Sequence, residues 1–221
     1  MIIKVCGMRD AQNIHDVLQS GVDWIGLDFR PESGRYVSQI PSCAGIIPDY
    51  SSLSSLSQHN LSGREKKALL CGVFADDMPQ NIVTRVVNFG LDIVQLNGDE
   101  NEVMIDNLRR TLDPDIHAGI RIMKRIAAGS RKDIEQCEPF AGVVDYFLFD
   151  LQDGAGDWAL LEAYRGNAPF LVGGNIRTEE AEKIRCFSHP RFYGIDLNKP
   201  FETAPGLKDT TLLKDFLKKM R

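Results

Sequence analysis

Ile2-Ile3-Lys4-Val5-Cys6-Gly7, at the start of the chain, sets the pattern that the rest repeats. A short apolar strand runs out at Cys6 into Gly7. Asp10 then serves as an N-cap, Ile14, Val17 and Leu18 make one apolar helix face, and Gly21 stops the helix. In a barrel of such units, side chains at the carboxyl ends of strands converge on one site. A thiol there is a candidate base or nucleophile. Asp150, at the end of Asp145-Tyr146-Phe147-Leu148-Phe149, is a carboxylate in the equivalent place and a candidate acid partner.

Outward from that unit, the next strand covers 24–29. The least regular part follows, with Pro31, Pro41 and Pro48. It reads as a short second helix near 42–47 and a mobile serine-rich loop over 51–64. Periodicity returns with a strand over 69–74 and a helix opened by Pro79, with Ile82, Val83, Val86 and Val87 inward. A strand over 92–96, a helix over 100–112, a strand over 116–123 and a short helix over 131–137 come next. After the strand ending at Asp150, Trp158, Leu161 and Tyr164 space a sixth helix. The strand over 170–172, a helix capped by Thr178 and running to Ile184, the strand over 192–195 and a helix over 207–220 complete the count.

Eight strand-and-helix units in 221 residues favour one domain, a (β/α)8 barrel, although alternation alone also fits a doubly wound sheet. Neither GxGxxG after the first strand nor GxxxxGK[ST] occurs, which removes the usual nucleotide signatures of the open sheet. In a barrel, phosphate is expected after strands seven and eight. Val172-Gly173-Gly174-Asn175 ends strand seven there and offers bare backbone amides to an anion.

A net charge of -5 and no block of Lys and Arg argue against a nucleic-acid partner and for a small molecule. Five cysteines without a CxxC pair predict reduced thiols and a cytoplasmic location, and no stretch reaches the roughly 20 apolar residues of a membrane span. His15, His59, His117 and His189 form no metal-ligand pair, so no metal site is expected. By themselves, Cys6 reads more readily as a small buried residue than as a base and Arg35 as a solvated charge, Asp150 reads equally as a helix cap, and Gly173-Gly174 reads as a tight turn that a barrel turns toward phosphate. Cys43, Cys71, Cys137 and Cys186 read only as small buried apolar residues.

Several tracts together resemble the phosphoribosylanthranilate isomerase family over nearly the whole chain. They are Lys4-Val5-Cys6-Gly7-Met8, Ser33-Gly34-Arg35-Tyr36-Val37, Gly72-Val73-Phe74, Val94-Gln95-Leu96-Asn97-Gly98, Phe149-Asp150, Val172-Gly173-Gly174, and Gly194-Ile195-Asp196 followed by Glu202 and Pro205-Gly206-Leu207-Lys208-Asp209. The resemblance implies a cofactor-free Amadori rearrangement of a phosphorylated small molecule, in tryptophan synthesis; it does not fix the oligomeric state, and a monomer or homodimer is expected. It implies Cys6 as base, Asp150 as acid, Arg35 as holder of the anthranilate carboxylate, and the loops with Gly173, Gly174, Asn198 and Lys199 around the phosphate.

The departures from the family pattern define the alternative, a diverged barrel binding or acting on another sugar phosphate without this activity. Asn97 stands where the family usually has a histidine, and it cannot gain a proton near neutral pH. The glycine-rich loop after Asp150 is short. Asn198-Lys199-Pro200 replaces two serines and a glycine; Pro200 lacks an N–H donor, which the charge of Lys199 offsets. Glu32 adds an acid beside an anionic ligand.

Overall fold

In the computed structural model, residues 1–38, 68–151 and 157–220 are described. The expected helix near 42–47, the serine-rich 51–64 segment, Cys43, His59 and the short loop over 152–156 lie outside the described residues.

Eight parallel strands close into a barrel in sequence order: β1 Ile2–Met8, β2 Trp24–Asp28, β3 Leu69–Phe74, β4 Ile93–Leu96, β5 Arg121–Ala127, β6 Tyr146–Leu151, β7 Phe170–Gly174 and β8 Phe192–Leu197. Closure comes from β1 against β8, with Ile3 opposite Ile195 and Lys4 opposite Asp196. Between and after the strands run α1 Ala11–Leu18, α2 Pro79–Phe89, α3 Glu102–Leu112, α4 Arg131–Glu135, α5 Ala181–Cys186 and α6 Thr210–Met220. A short hairpin, β9 Glu202–Ala204 with β10 Leu207–Lys208, sits between β8 and α6. Among the described residues no helix is long and apolar enough to cross a membrane.

Local chemistry accounts for the helix ends. The Asp10 side chain accepts from the Asn13 N–H, and Asn101 does the same for Met104. Pro79 opens α2, and Gly90, at φ 59°, closes it with its N–H on the Val86 carbonyl.

The strands' period of two divides the core. Outward residues such as Ile3, Val5, Phe147, Phe149, Ile195 and Leu197 pack under the helices, while Trp24, Cys71, Ile93, Met123, Tyr146, Leu148 and Leu171 fill the lower barrel. The Phe149 ring lies 5.3 Å from Tyr164 and 5.2 Å from Phe170, centroid to centroid. Removing it costs about 3–5 kcal/mol.

Six expectations are corrected. The fifth strand is displaced from 116–123 to Arg121–Ala127, and Ile116 is exposed. Val87 is also exposed; Phe89 takes the buried place on α2. The segment spaced by Trp158, Leu161 and Tyr164 is a 3-10 helix, Trp158–Ala163, which suits a repeat of three. Thr178 opens a 3-10 turn whose N-cap is Arg177, and the last helix begins at Thr210 because Leu207 and Lys208 are taken up by β10. Cys186 is exposed rather than buried, whereas Cys6, Cys71 and Cys137 are buried and free.

Candidate active site

At the top of β1 the register against β2 shifts between Val5 and Met8, and Gly7 sits at φ +73°. A side chain there would be strained and would collide with Arg35 and Asn198, the latter's Oδ1 being 2.8 Å from a Cβ at that position. Gly7 thus brings two groups from distant loops onto the backbone beside Cys6. Cys6 itself is buried, its thiol resting on Gly26 of β2.

Beneath Cys6, on the same inward face of β1, lies Lys4. Its Nζ donates to Asp196 Oδ2 at 2.7 Å and to Gln95 Oε1 at 2.7 Å, wholly out of solvent. Gln95 Nε2 donates in turn to Asn97 Oδ1 at 2.8 Å, so the residue that departs from the family pattern anchors this layer. Burial pulls the Lys4 ammonium down, but the Asp196 carboxylate outweighs it and keeps it charged. Burial pushes the Cys6 thiol up from its ordinary value, and the Lys4 charge opposes that rise.

Arg35, in the loop after β2, forms a fork onto Glu202 of β9, with Nε 2.7 Å from Oε1 and Nη2 2.5 Å from Oε2. Lys208, buried on β10, donates to Glu202 Oε1 at 2.7 Å and to Asn198 Oδ1 at 2.9 Å. Burial raises the Glu202 carboxyl, but hydrogen bonds from Arg35 and Lys208 outweigh it and hold it below the usual range. Burial lowers Lys208, partly offset by Glu202. The Arg35 loop is held by Asp28: its Oδ2 accepts from Arg30 Nη2 and Ser33 Oγ, each at 2.7 Å. Glu32 of that loop is exposed.

Asp150 lies on the inward face of β6, across the barrel mouth from Cys6. Its Oδ2 accepts from Arg125 of β5, at 2.7 Å from Nε and 2.5 Å from Nη2. Gly173 of β7 abuts Leu148 and Asp196, and Gly174 packs on the Leu151 carbonyl. Lys199 is exposed in the 3-10 turn Lys199–Phe201.

The barrel therefore gathers Cys6, Arg35 and Asn198 at one rim, with Asp150, Gly173 and Gly174 on neighbouring strand ends. Sequence reasoning gave no role to Lys4, Arg125, Asp196, Glu202 or Lys208. A lysine two residues before Cys6, on the same strand face, was the one available signal; the partners of the others are set by tertiary structure.

The model of the family described as N-(5'phosphoribosyl)anthranilate (PRA) isomerase matches residues 3–219. A relative from Parabacteroides distasonis bearing that enzyme name is 36% identical over 227 residues, covering 100% of this chain and 93% of its own length. One from Phocaeicola vulgatus with the same name is 35% identical, covering 100% and 98%. Two solved structures of phosphoribosyl anthranilate isomerase share the fold, each with a TM-score of 0.76 and covering 100% of this chain and 98% of the other. One, 21% identical, holds reduced 1-(o-carboxyphenylamino)-1-deoxyribulose 5-phosphate. The other, 22% identical, is from Thermotoga maritima.

Proposed function

This chain belongs to the N-(5'-phosphoribosyl)anthranilate isomerase family, and we propose from that premise how its own residues divide the work. The enzyme isomerises N-(5'-phosphoribosyl)anthranilate in tryptophan biosynthesis. What carries the residue assignment is a thiol and a carboxylate at the mouth of one closed barrel, on the strand ends of β1 and β6.

Asp150, held on Oδ2 by Arg125, acts as the general acid and delivers a proton to the furanose ring oxygen. The C1–O bond breaks with its electron pair going to that oxygen, and the anilino nitrogen's lone pair forms the C1=N iminium. Cys6, as thiolate, then removes the C2 proton. The C–H pair becomes C1=C2 and the iminium electrons return to nitrogen, giving the enol amine. Loss of the C2 hydroxyl proton with protonation at C1 yields the aminoketose.

Lys4 supports this role because it is a fixed cation near a thiol that burial otherwise keeps neutral. Arg35 holds the anthranilate carboxylate with donors remaining beyond its fork onto Glu202. Backbone N–H groups around Gly173, Gly174 and Asn198, with the Lys199 charge, hold the phosphate. The four described cysteines are free, which supports a reducing, cytoplasmic home.

The test is loss of the intrinsic fluorescence of freshly made substrate, comparing the wild type with Cys6→Ser and Asp150→Asn. Turnover by the wild type and collapse in both folded variants is expected. Near-normal turnover by either variant would remove that residue from the mechanism.

A further inference from the structure

Among the described residues, Asp196 is the buried carboxylate that the mechanism above does not use and whose bonding is incomplete. It is 7% exposed, on the inward face of β8, one inward step below Asn198 and directly opposite Lys4. Its Oδ2 is taken by Lys4 at 2.7 Å. Its Oδ1 accepts no hydrogen bond from any described residue. A buried carboxylate oxygen left without a donor is costly, and native structures keep few of them without a reason. Lys4 is fixed between Asp196 and Gln95, so the side chain cannot readily turn away to find another partner.

The surroundings indicate where the donor comes from. Asp196 lies under the rim between Cys6 on β1 and Asp150 on β6, and its Cβ is 3.5 Å from a Cβ built on Gly173. A side chain at Gly173 would crowd this wall of the site, since its Cβ would also meet Leu148 Cδ1 at 3.1 Å. A sugar placed with C2 at the Cys6 thiol, its ring oxygen at Asp150 and its phosphate at the loops after β7 and β8 spans the mouth directly over this oxygen. The donors such a sugar carries on that span are its secondary hydroxyls, at C2 and C3.

We propose that Asp196 is a substrate-binding residue whose Oδ1 accepts a hydrogen bond from a secondary hydroxyl of the sugar, with Lys4 clamping its other oxygen. It selects hydroxylated over deoxygenated sugar phosphates, and it anchors C2 and C3 while the ring opens between the base and the acid. This rests on the isomerase reading of the same site.

The experiment measures competitive inhibition of the wild-type enzyme by ribose 5-phosphate, 2-deoxyribose 5-phosphate and 3-deoxyribose 5-phosphate. One of the two deoxy sugars is expected to bind at least about tenfold more weakly than ribose 5-phosphate, a tenfold change being about 1.4 kcal/mol. In Asp196→Asn, checked for native circular dichroism, that discrimination is expected to shrink. A merely structural aspartate would not alter the ratio between two ligands. If the wild type turns over substrate yet binds all three sugars equally, the inference is overturned and the isomerase reading stands. Discrimination that persists unchanged in folded Asp196→Asn overturns it as well. If the wild type does not turn over substrate, the isomerase reading falls, and calorimetric titration with the same three sugars decides the inference by the same ratio.

Discussion

Gly26→Ala is a one-methyl perturbation whose effect follows from the packing around Cys6. A Cβ at Gly26 would lie 2.7 Å from Cys6 Sγ, 3.0 Å from its Cα and 3.1 Å from its Cβ. Nonbonded heavy atoms rest at about 3.5–4.0 Å, so the thiol has to move by about 1 Å. Gly26 has no positive φ, so the substitution acts through this contact and not through backbone strain. A 1 Å misplacement of a reacting group costs about 10²-fold in rate, or about 2.7 kcal/mol of transition-state stabilisation. The overpacking itself destabilises by about 1–3 kcal/mol. Substrate-fluorescence decay should therefore show kcat down about a hundredfold with KM little changed, because the phosphate loops are untouched. Gly90→Ala is the control: at φ +59° it strains the backbone by about 1–2 kcal/mol, yet its Cβ meets nothing within 4 Å. It should lower Tm and leave kcat alone. Wild-type kcat in a folded Gly26→Ala enzyme would refute the reasoning, since the thiol would then be moved without consequence.

Three other outcomes are expected. Burial pushes the Cys71 thiol up to about 12, above its unfolded value near 8.5, so the stability it lends is full below about pH 8.5 and is lost as pH rises toward 12. At pH 10 the loss is about 2 kcal/mol, and urea titrations of Cys71→Ala should show a shallower alkaline decline than the wild type; an identical slope would exclude Cys71 as its source. Arg35→Lys gives up the fork and should raise KM about tenfold at similar kcat, whereas an unchanged KM would place the anthranilate carboxylate elsewhere. Lys199→Ala should raise KM about two- to fivefold at low ionic strength and converge on the wild type in high salt; no low-salt difference would mean that the lysine does not face the phosphate.

Sequence patterning located most strands because runs such as Leu69-Leu70-Cys71-Gly72-Val73-Phe74 are apolar throughout, as a sheet buried on both faces requires. It failed at β5 because charged side chains sit inside the strand. Lys124 and Arg125 interrupt the apolar run there, one pairing with Glu100 at 2.8 Å and the other with Asp150, while Ile116 and Ile120 imitate a strand start a few residues too early. Cys6, Asp150 and Arg35 could be named from the family pattern. The charged shell around them could not, because its partners lie far apart in the chain: Lys4 with Asp196, Arg35 with Glu202. No local periodicity encodes such pairs.

The hairpin after β8 carries a consequence for how activity is acquired. Glu202 and Lys208 reach the site from the far end of the chain, and the Lys208 backbone is tied to Asn13, with N–H to Oδ1 at 2.8 Å and Nδ2 to its carbonyl at 2.9 Å. The first helix and the last hairpin thus form a single clasp across a sequence separation of 195 residues. During synthesis, the first seven strands can emerge and begin to pair while Cys6 still lacks Asn198 and Lys208 beside it. Catalytic competence is then among the last properties the polypeptide gains, and recovery of turnover during refolding becomes a direct clock for ring closure.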